Sequence, residues 1–156
     1  MNTKTILIAI SGGISAYKVA DVISGLKASG YIVRVMTTKN ALNFITPTVI
    51  GTISGNYITN DDPNIVSHIV EAQNCDAFIC VPATANIMAK FAHGIADDFV
   101  TSTFIALPKE TPRIICPAMN TKMYESVQYQ FNEGLVASMD NTHIISPVKG
   151  LMVKGK

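Results

Sequence analysis

Apolar residues along this chain fall into short unbroken runs, with stretches of helical spacing between them. Residues 4–10, 31–36, 77–81, 113–116 and 142–145 read as strands, too continuous in apolar character to be exposed on one face. Between the first two runs, Ala16, Val19, Ala20, Ile23 and Leu26 follow helical spacing, and Gly30 stands where a left-handed cap would end the helix. Pro47 opens a short helix that ends near Gly51 or Gly55. Asp61-Asp62-Pro63 reads as a cap with proline in the first turn, and Ile65, Val66, Ile69 and Val70 form the apolar stripe of the helix behind it. Further helices are predicted over residues 84–92, 97–106 and 124–137.

Strand and helix alternate throughout. That order predicts one α/β domain over residues 1–156, a parallel sheet in three layers with helices on both faces and right-handed crossovers. In such folds ligands bind at the carboxyl edge of the sheet. Two polar segments fall there. Pro82-Ala83-Thr84-Ala85-Asn86 follows the third strand, and Pro117-Ala118-Met119-Asn120-Thr121-Lys122-Met123-Tyr124 follows the fourth. Small residues admit a flat ring close to the backbone, and an Asn amide both donates and accepts hydrogen bonds.

Composition narrows the function. Hydrophobic residues make up 48% of the chain and charged residues only 15%, so part of the surface is expected to be covered by other subunits. A net charge of +1 gives no electrostatic basis for nucleic-acid binding. No apolar run has the length of a membrane span, and the N-terminus leads straight into a strand without signal-peptide features; cytoplasm is the expected compartment. Cys75, Cys80 and Cys116 lack paired spacing and read as buried thiols. The three histidines lack ligand spacing, so no metal site is expected.

Ser11-Gly12-Gly13-Ile14-Ser15 joins the first strand to its helix, where free N–H groups and serine hydroxyls suit a phosphate. The dinucleotide spacing G-x-G-x-x-G is absent, and Thr37 and Thr38 stand where an acidic residue would hold an adenosine ribose. Both features favour a mononucleotide; an ordinary βα turn is the alternative. Asp97-Asp98 with Thr101, Ser102 and Thr103 is a second polar group, also readable as helix capping. His68 points away from the stripe of its helix and is the candidate for proton transfer, with a solvated surface histidine as the alternative. His93 precedes Gly94 at a helix end and reads as a cap, and His143 as structural.

Four segments together resemble the cysteine-decarboxylating flavoproteins. Pro117-Ala118-Met119-Asn120-x-x-Met123 is similar to their PxMNxxMW motif, with Tyr124 in place of Trp. Pro82-Ala83-Thr84-Ala85-Asn86 is similar to their PASANT motif, Ser67-His68-Ile69 to the segment of their essential histidine, and residues 11–16 to their phosphate turn. The resemblance implies a flavodoxin-like subunit that binds FMN at a homotrimer interface, within a dodecamer. By matching position it implies FMN contacts from Gly13, Ile14 and Ser15; from Thr38, Lys39 and Asn40; from Thr84, Ala85, Asn86 and Ile87; and from Ala118. It makes His68 the acid/base, gives Asn120 the substrate carboxylate, and places Met119 in the flavin pocket. Its closest branch converts 4′-phospho-N-pantothenoylcysteine to 4′-phosphopantetheine in coenzyme A synthesis. There FMN oxidises the thiol-bearing carbon, so that a C=S group can take the electrons as CO₂ leaves.

That branch carries a cysteine in a C-terminal flap, whereas no cysteine follows Cys116 here and residues 150–156 stand in its place. Three readings follow: a flap continuing beyond Gly150 and outside this chain, favoured by the abrupt Gly-Lys ending; a peptidyl-cysteine decarboxylase of the lantibiotic type; or a diverged flavin binder, against which His68 and Asn120 speak. Two rivals share the fold. A flavin prenyltransferase would need an arginine-rich site, but Arg34 and Arg113 are the only arginines; a flavodoxin-like electron carrier would need a strongly acidic surface.

Overall fold

The computed structural model describes residues 3–58 and 67–148. Its elements run β1 (Thr5–Ile10), α1 (Val19–Ala28), β2 (Ile32–Thr37), α2 (Pro47–Ser54), α3 (Ser67–Asn74), β3 (Ala77–Ala83), α4 (Ala85–His93), α5 (Phe99–Ala106), β4 (Arg113–Pro117), α6 (Thr121–Tyr124), α7 (Val127–Ala137) and β5 (Thr142–Ile144). One-turn 3-10 segments, Ile14–Lys18 and Lys39–Asn43, follow β1 and β2.

The strands form one parallel five-stranded sheet in the order β2-β1-β3-β4-β5. This is the flavodoxin-like order, and the chain reverses direction across the sheet between β1 and β3. Alternate residues of β1 feed two cores, as strand geometry requires. Leu7 and Ala9 join Phe78, Cys80 and Ile115 beneath α3, α4, α5 and α7. Ile6, Ile8 and Ile10 join Val33 and Val35 beneath α1 and α2. In the first core Phe91 and Phe104 stack at 3.8 Å between centroids, and Phe78 meets Phe91 at a steep angle.

The ends of these helices follow from their sequence. Thr46, Thr84, Asp98 and Ser126 each accept a first-turn backbone N–H, which is worth about 1 kcal/mol per cap. Gly30 has φ of 87° and can close α1 where a residue with a side chain would be strained. Asp98 and Thr101 make a reciprocal capping pair, so the capping reading of that polar group holds.

Two expectations need correction. The stripe on α3 does not hold over its described part: Ile69 and Val70 are exposed, while Ser67, Glu71 and Ala72 are buried. The cause is Arg34 of β2, whose guanidinium pairs with Glu71 and lets a carboxylate occupy the inner face. His68 is accordingly half-buried, edge-on to the ring of Phe99 with centroids 6.5 Å apart. Asp61-Asp62-Pro63, Ile65 and Val66 lie outside the described residues. The helix predicted over residues 124–137 is α7, which starts at Val127 because Ser126 Oγ accepts the N–H of Tyr129; Tyr124 closes the short α6, which the sequence reading did not separate.

Candidate functional site

The loops after β1, β2, β3 and β4 meet at the carboxyl edge of the sheet, around the point where strand order reverses. Ser11, buried at the end of β1, ties two of them together: its hydroxyl donates to Pro82 O at 2.6 Å and accepts from Thr84 N at 3.0 Å. Gly12 touches the loop after β2, and a Cβ there would stand 2.9 Å from the carbonyl carbon of Asn40. Across β4, Ala118 N donates to Ala83 O at 3.0 Å and holds Met119 beside the β3 loop.

These contacts enclose a cleft of about 420 Å³. Of the residues the resemblance singled out, Thr38, Lys39, Asn40, Thr84, Ala85, Asn86, Ile87 and Met119 line it. Gly13, Ile14, Ser15 and Ala118 do not. Ser15 and Ala118 face a separate cleft of about 180 Å³, Gly13 backs onto Thr84, and Ile14 is 75% exposed. His68 also lies outside the cleft wall, although Phe99, against which it packs, follows directly on the lining residue Asp98.

The lining suits a phosphorylated mononucleotide. Thr84 caps α4, and the first N–H groups of a helix have no intrahelical acceptors, so the Ala85 and Asn86 amides are available to an anion. Thr38 Oγ1 lines the same cleft, buried and without a hydrogen-bond partner among the described residues. A buried hydroxyl left open in this way calls for a partner, and a ligand in the cleft would supply one. The donor set, the orphan hydroxyl and the side-chain-free approach at Gly12 therefore fit the phosphate and polar chain of a flavin mononucleotide.

Lys90 and Asp98 also line the cleft. Lys90 Nζ lies 2.7 Å from Asp97 Oδ1 and 3.8 Å from Asp98 Oδ2. The hydrogen bond from Lys90, ahead of its charge, holds the Asp97 carboxyl below the usual range. Sequence reasoning missed Lys90 as a lining residue, yet the signal was present: it sits one helical turn after Asn86 and Ile87.

Asn120, the N-cap of α6, follows the lining residue Met119 but is not itself part of the cleft wall. Its Oδ1 accepts from Lys122 N at 2.9 Å, which turns the amide so that its Nδ2 hydrogens remain to donate. That is the end of the side chain a carboxylate needs. The thiols offer no nucleophile at neutral pH. Burial pushes Cys75 up to about 11, raises Cys80 further, and raises Cys116.

Known proteins resemble this chain in sequence and fold. The model of the Flavoprotein family matches residues 1–156. A probable phosphopantothenoylcysteine decarboxylase of Streptococcus mutans is 45% identical over 139 residues, 86% of this chain and 78% of that protein. The coenzyme A biosynthesis bifunctional protein CoaBC of Bacillus subtilis is 35% identical over 99% of this chain, which spans only 39% of that longer protein. Among solved structures, the FMN-dependent cysteine decarboxylase SpaF superimposes with a TM-score of 0.87 at 29% identity, covering 94% of this chain and 86% of its own. With the family match running from end to end, the chain belongs to the Flavoprotein family.

Proposed function

We propose that this protein binds FMN in the switch-point cleft and decarboxylates 4′-phospho-N-pantothenoylcysteine to 4′-phosphopantetheine, a step of coenzyme A biosynthesis. The observation that carries the reading is the 45% identity, over 86% of the chain, to a protein named for that reaction. The cleft's own chemistry supports it independently through Thr38, Gly12 and the start of α4.

In this reading Thr84, Ala85 and Asn86 would hold the FMN phosphate in place of the Ser11–Ser15 turn that the sequence suggested, because Gly13, Ile14 and Ser15 lie off the cleft wall; Thr38 would complete a hydrogen bond to the cofactor, and Ile87 and Met119 would flank its ring. FMN, when bound, would take a hydride from the thiol-bearing carbon, giving the C=S group that accepts electrons as CO₂ leaves, and would return it afterwards, so that the saturated thiol forms with no net oxidation. Asn120 donates from Nδ2 to the substrate carboxylate and fixes its orientation. His68 moves the proton.

The protein is read as a cytoplasmic homotrimer, assembled into a dodecamer, with residues 1–156 forming one flavin domain. Exposed Ile14 and Tyr17 beside the cleft favour self-association. Among the described residues no helix is long and apolar enough to cross a membrane. Assembly matters to the chemistry because Gly13, Ile14, Ser15, Ala118 and His68 lie outside the cleft wall of a single subunit.

A second reading, oxidative decarboxylation of a peptidyl cysteine, is the alternative that the sequence left open through the missing flap cysteine, and the likeness to the FMN-dependent cysteine decarboxylase SpaF is compatible with it. Mass spectrometry after incubating FMN-loaded protein with phosphopantothenoylcysteine separates the two. The saturated thiol supports the first, an enethiol the second, and no turnover overturns the first.

A further inference from the structure

A second cleft of about 400 Å³ opens beside the first, between α4, α6 and α7. Ala85 and Met123 line both, so the two are separated only by these side chains. Its polar wall is Lys122, Ser126, Gln128 and Asn132, and Ala89 and the Tyr129 ring form its apolar wall. Among the described residues no carboxylate lines it. Lys122 makes no ion pair with another described residue. Asn132 engages His93 through Oδ1, at 2.9 Å, leaving its Nδ2 hydrogens free to donate. The Tyr129 hydroxyl is turned away to Glu133, so its ring serves as wall.

The position of this cleft is informative. Asn120 begins α6, and the next residues of that helix, Lys122 and Met123, line the second cleft. A substrate whose carboxylate is held at Asn120 must send its remaining arm somewhere. The cleft that shares Met123 with the first offers amide donors, a small apolar wall and, in Lys122, a cation without an ion-pair partner among the described residues.

We propose that this second cleft receives the acyl arm of the substrate, with Lys122 taking the terminal phosphate. This inference rests on the decarboxylase reading above. The phosphopantothenoyl arm has amide carbonyls for Gln128 and Asn132, a branched apolar segment for Ala89 and Tyr129, and a dianion at its end for Lys122. A peptide arm presents no such dianion, so Lys122 is the residue that selects the phosphorylated small substrate. Lys122 is exposed on a four-residue helix, and replacing it leaves both cores intact.

The test uses FMN-loaded protein and two substrates, phosphopantothenoylcysteine and its unphosphorylated counterpart. The Lys122→Met variant is expected to raise KM for the phosphorylated substrate about tenfold, as for a lost charge-assisted hydrogen bond, and to erase the preference between the two. Calorimetric binding of 4′-phosphopantothenate, the arm without its cysteine, gives a readout independent of turnover. It should weaken in Lys122→Met and in Ala89→Phe, which fills the cleft, while pantothenate binding changes only in Ala89→Phe. If turnover is normal but both variants bind phosphopantothenate as the unmodified protein does, the subsite is overturned and the reaction stands. If no turnover occurs yet the phosphate-bearing arm binds in a Lys122-dependent way, the reaction fails and the subsite stands. Binding by neither form overturns the subsite.

Discussion

Gly12 and Asn40 meet without room for a methyl group: a Cβ on Gly12 would lie 2.6 Å from the Cβ of Asn40. Two loops from neighbouring parallel strands thus close against each other at the mouth of the cofactor cleft. Real Cβ atoms do not approach so closely, so any side chain at position 12 must push the β2 loop aside. Gly12→Ala is expected to fold, because the contact lies outside both hydrophobic cores, and to lose FMN affinity at least tenfold, about 1.4 kcal/mol. Fluorescence titration of FMN into apoprotein measures this. Affinity equal to that of the unmodified protein would show that the loop contact does not shape the cleft.

Thr38 gives a prediction with opposite signs in two states. Its buried hydroxyl has no partner among the described residues. In apoprotein that costs stability, so Thr38→Val should leave the apoprotein melting temperature unchanged or raise it. With FMN bound, the same change removes a hydrogen bond and should weaken affinity roughly fivefold, about 1 kcal/mol. A Val variant that is less stable as apoprotein and binds FMN normally would mean the hydroxyl serves the fold instead.

Colour and turnover should separate at His68. The ring packs edge-on to Phe99 and lies off the cleft wall, so His68→Asn should remain yellow with near-normal FMN affinity. Loss of the proton-transferring group should lower CO₂ release by about 10²–10⁴-fold. Stopped-flow absorbance of the flavin and CO₂ trapping read the two properties from one preparation. Retained turnover would remove His68 from the mechanism.

The strands and most helices were legible because each is a local pattern: an unbroken apolar run for β1, a Thr or Asp cap before α4 and α5, and Gly30 after α1. The cleft was legible through its loops, since the residues after parallel strands must share one edge. What escaped depended on partners distant in sequence. The inner face of α3 could not be read without knowing that Arg34, on β2, neutralises Glu71. The break between α6 and α7 turned on whether Ser126 would spend its hydroxyl on Tyr129 N. The unpaired state of Thr38 Oγ1 emerges only once every neighbour is in place.

The buried thiols set an alkaline limit on the fold. Burial, the larger cause, with Asp76 and Glu71 nearby, pushes Cys75 from 9.0 up to about 11. In the unfolded chain this thiol ionises near its ordinary value, while the native protein keeps the proton. Between these two values the unfolded state binds fewer protons, so stability falls as pH rises. The contribution is fully present below pH 9 and lost as pH climbs towards 11. Lysines and tyrosines ionise in the same window, so the informative comparison is with Cys75→Ala, which changes volume little and removes the titrating group. Melting temperature should drop more steeply between pH 9 and 10.5 in the unmodified protein than in Cys75→Ala. Cys80, raised by burial in the same direction, keeps part of the slope in that variant. Parallel profiles for the two proteins would exclude Cys75 as a source of alkaline instability.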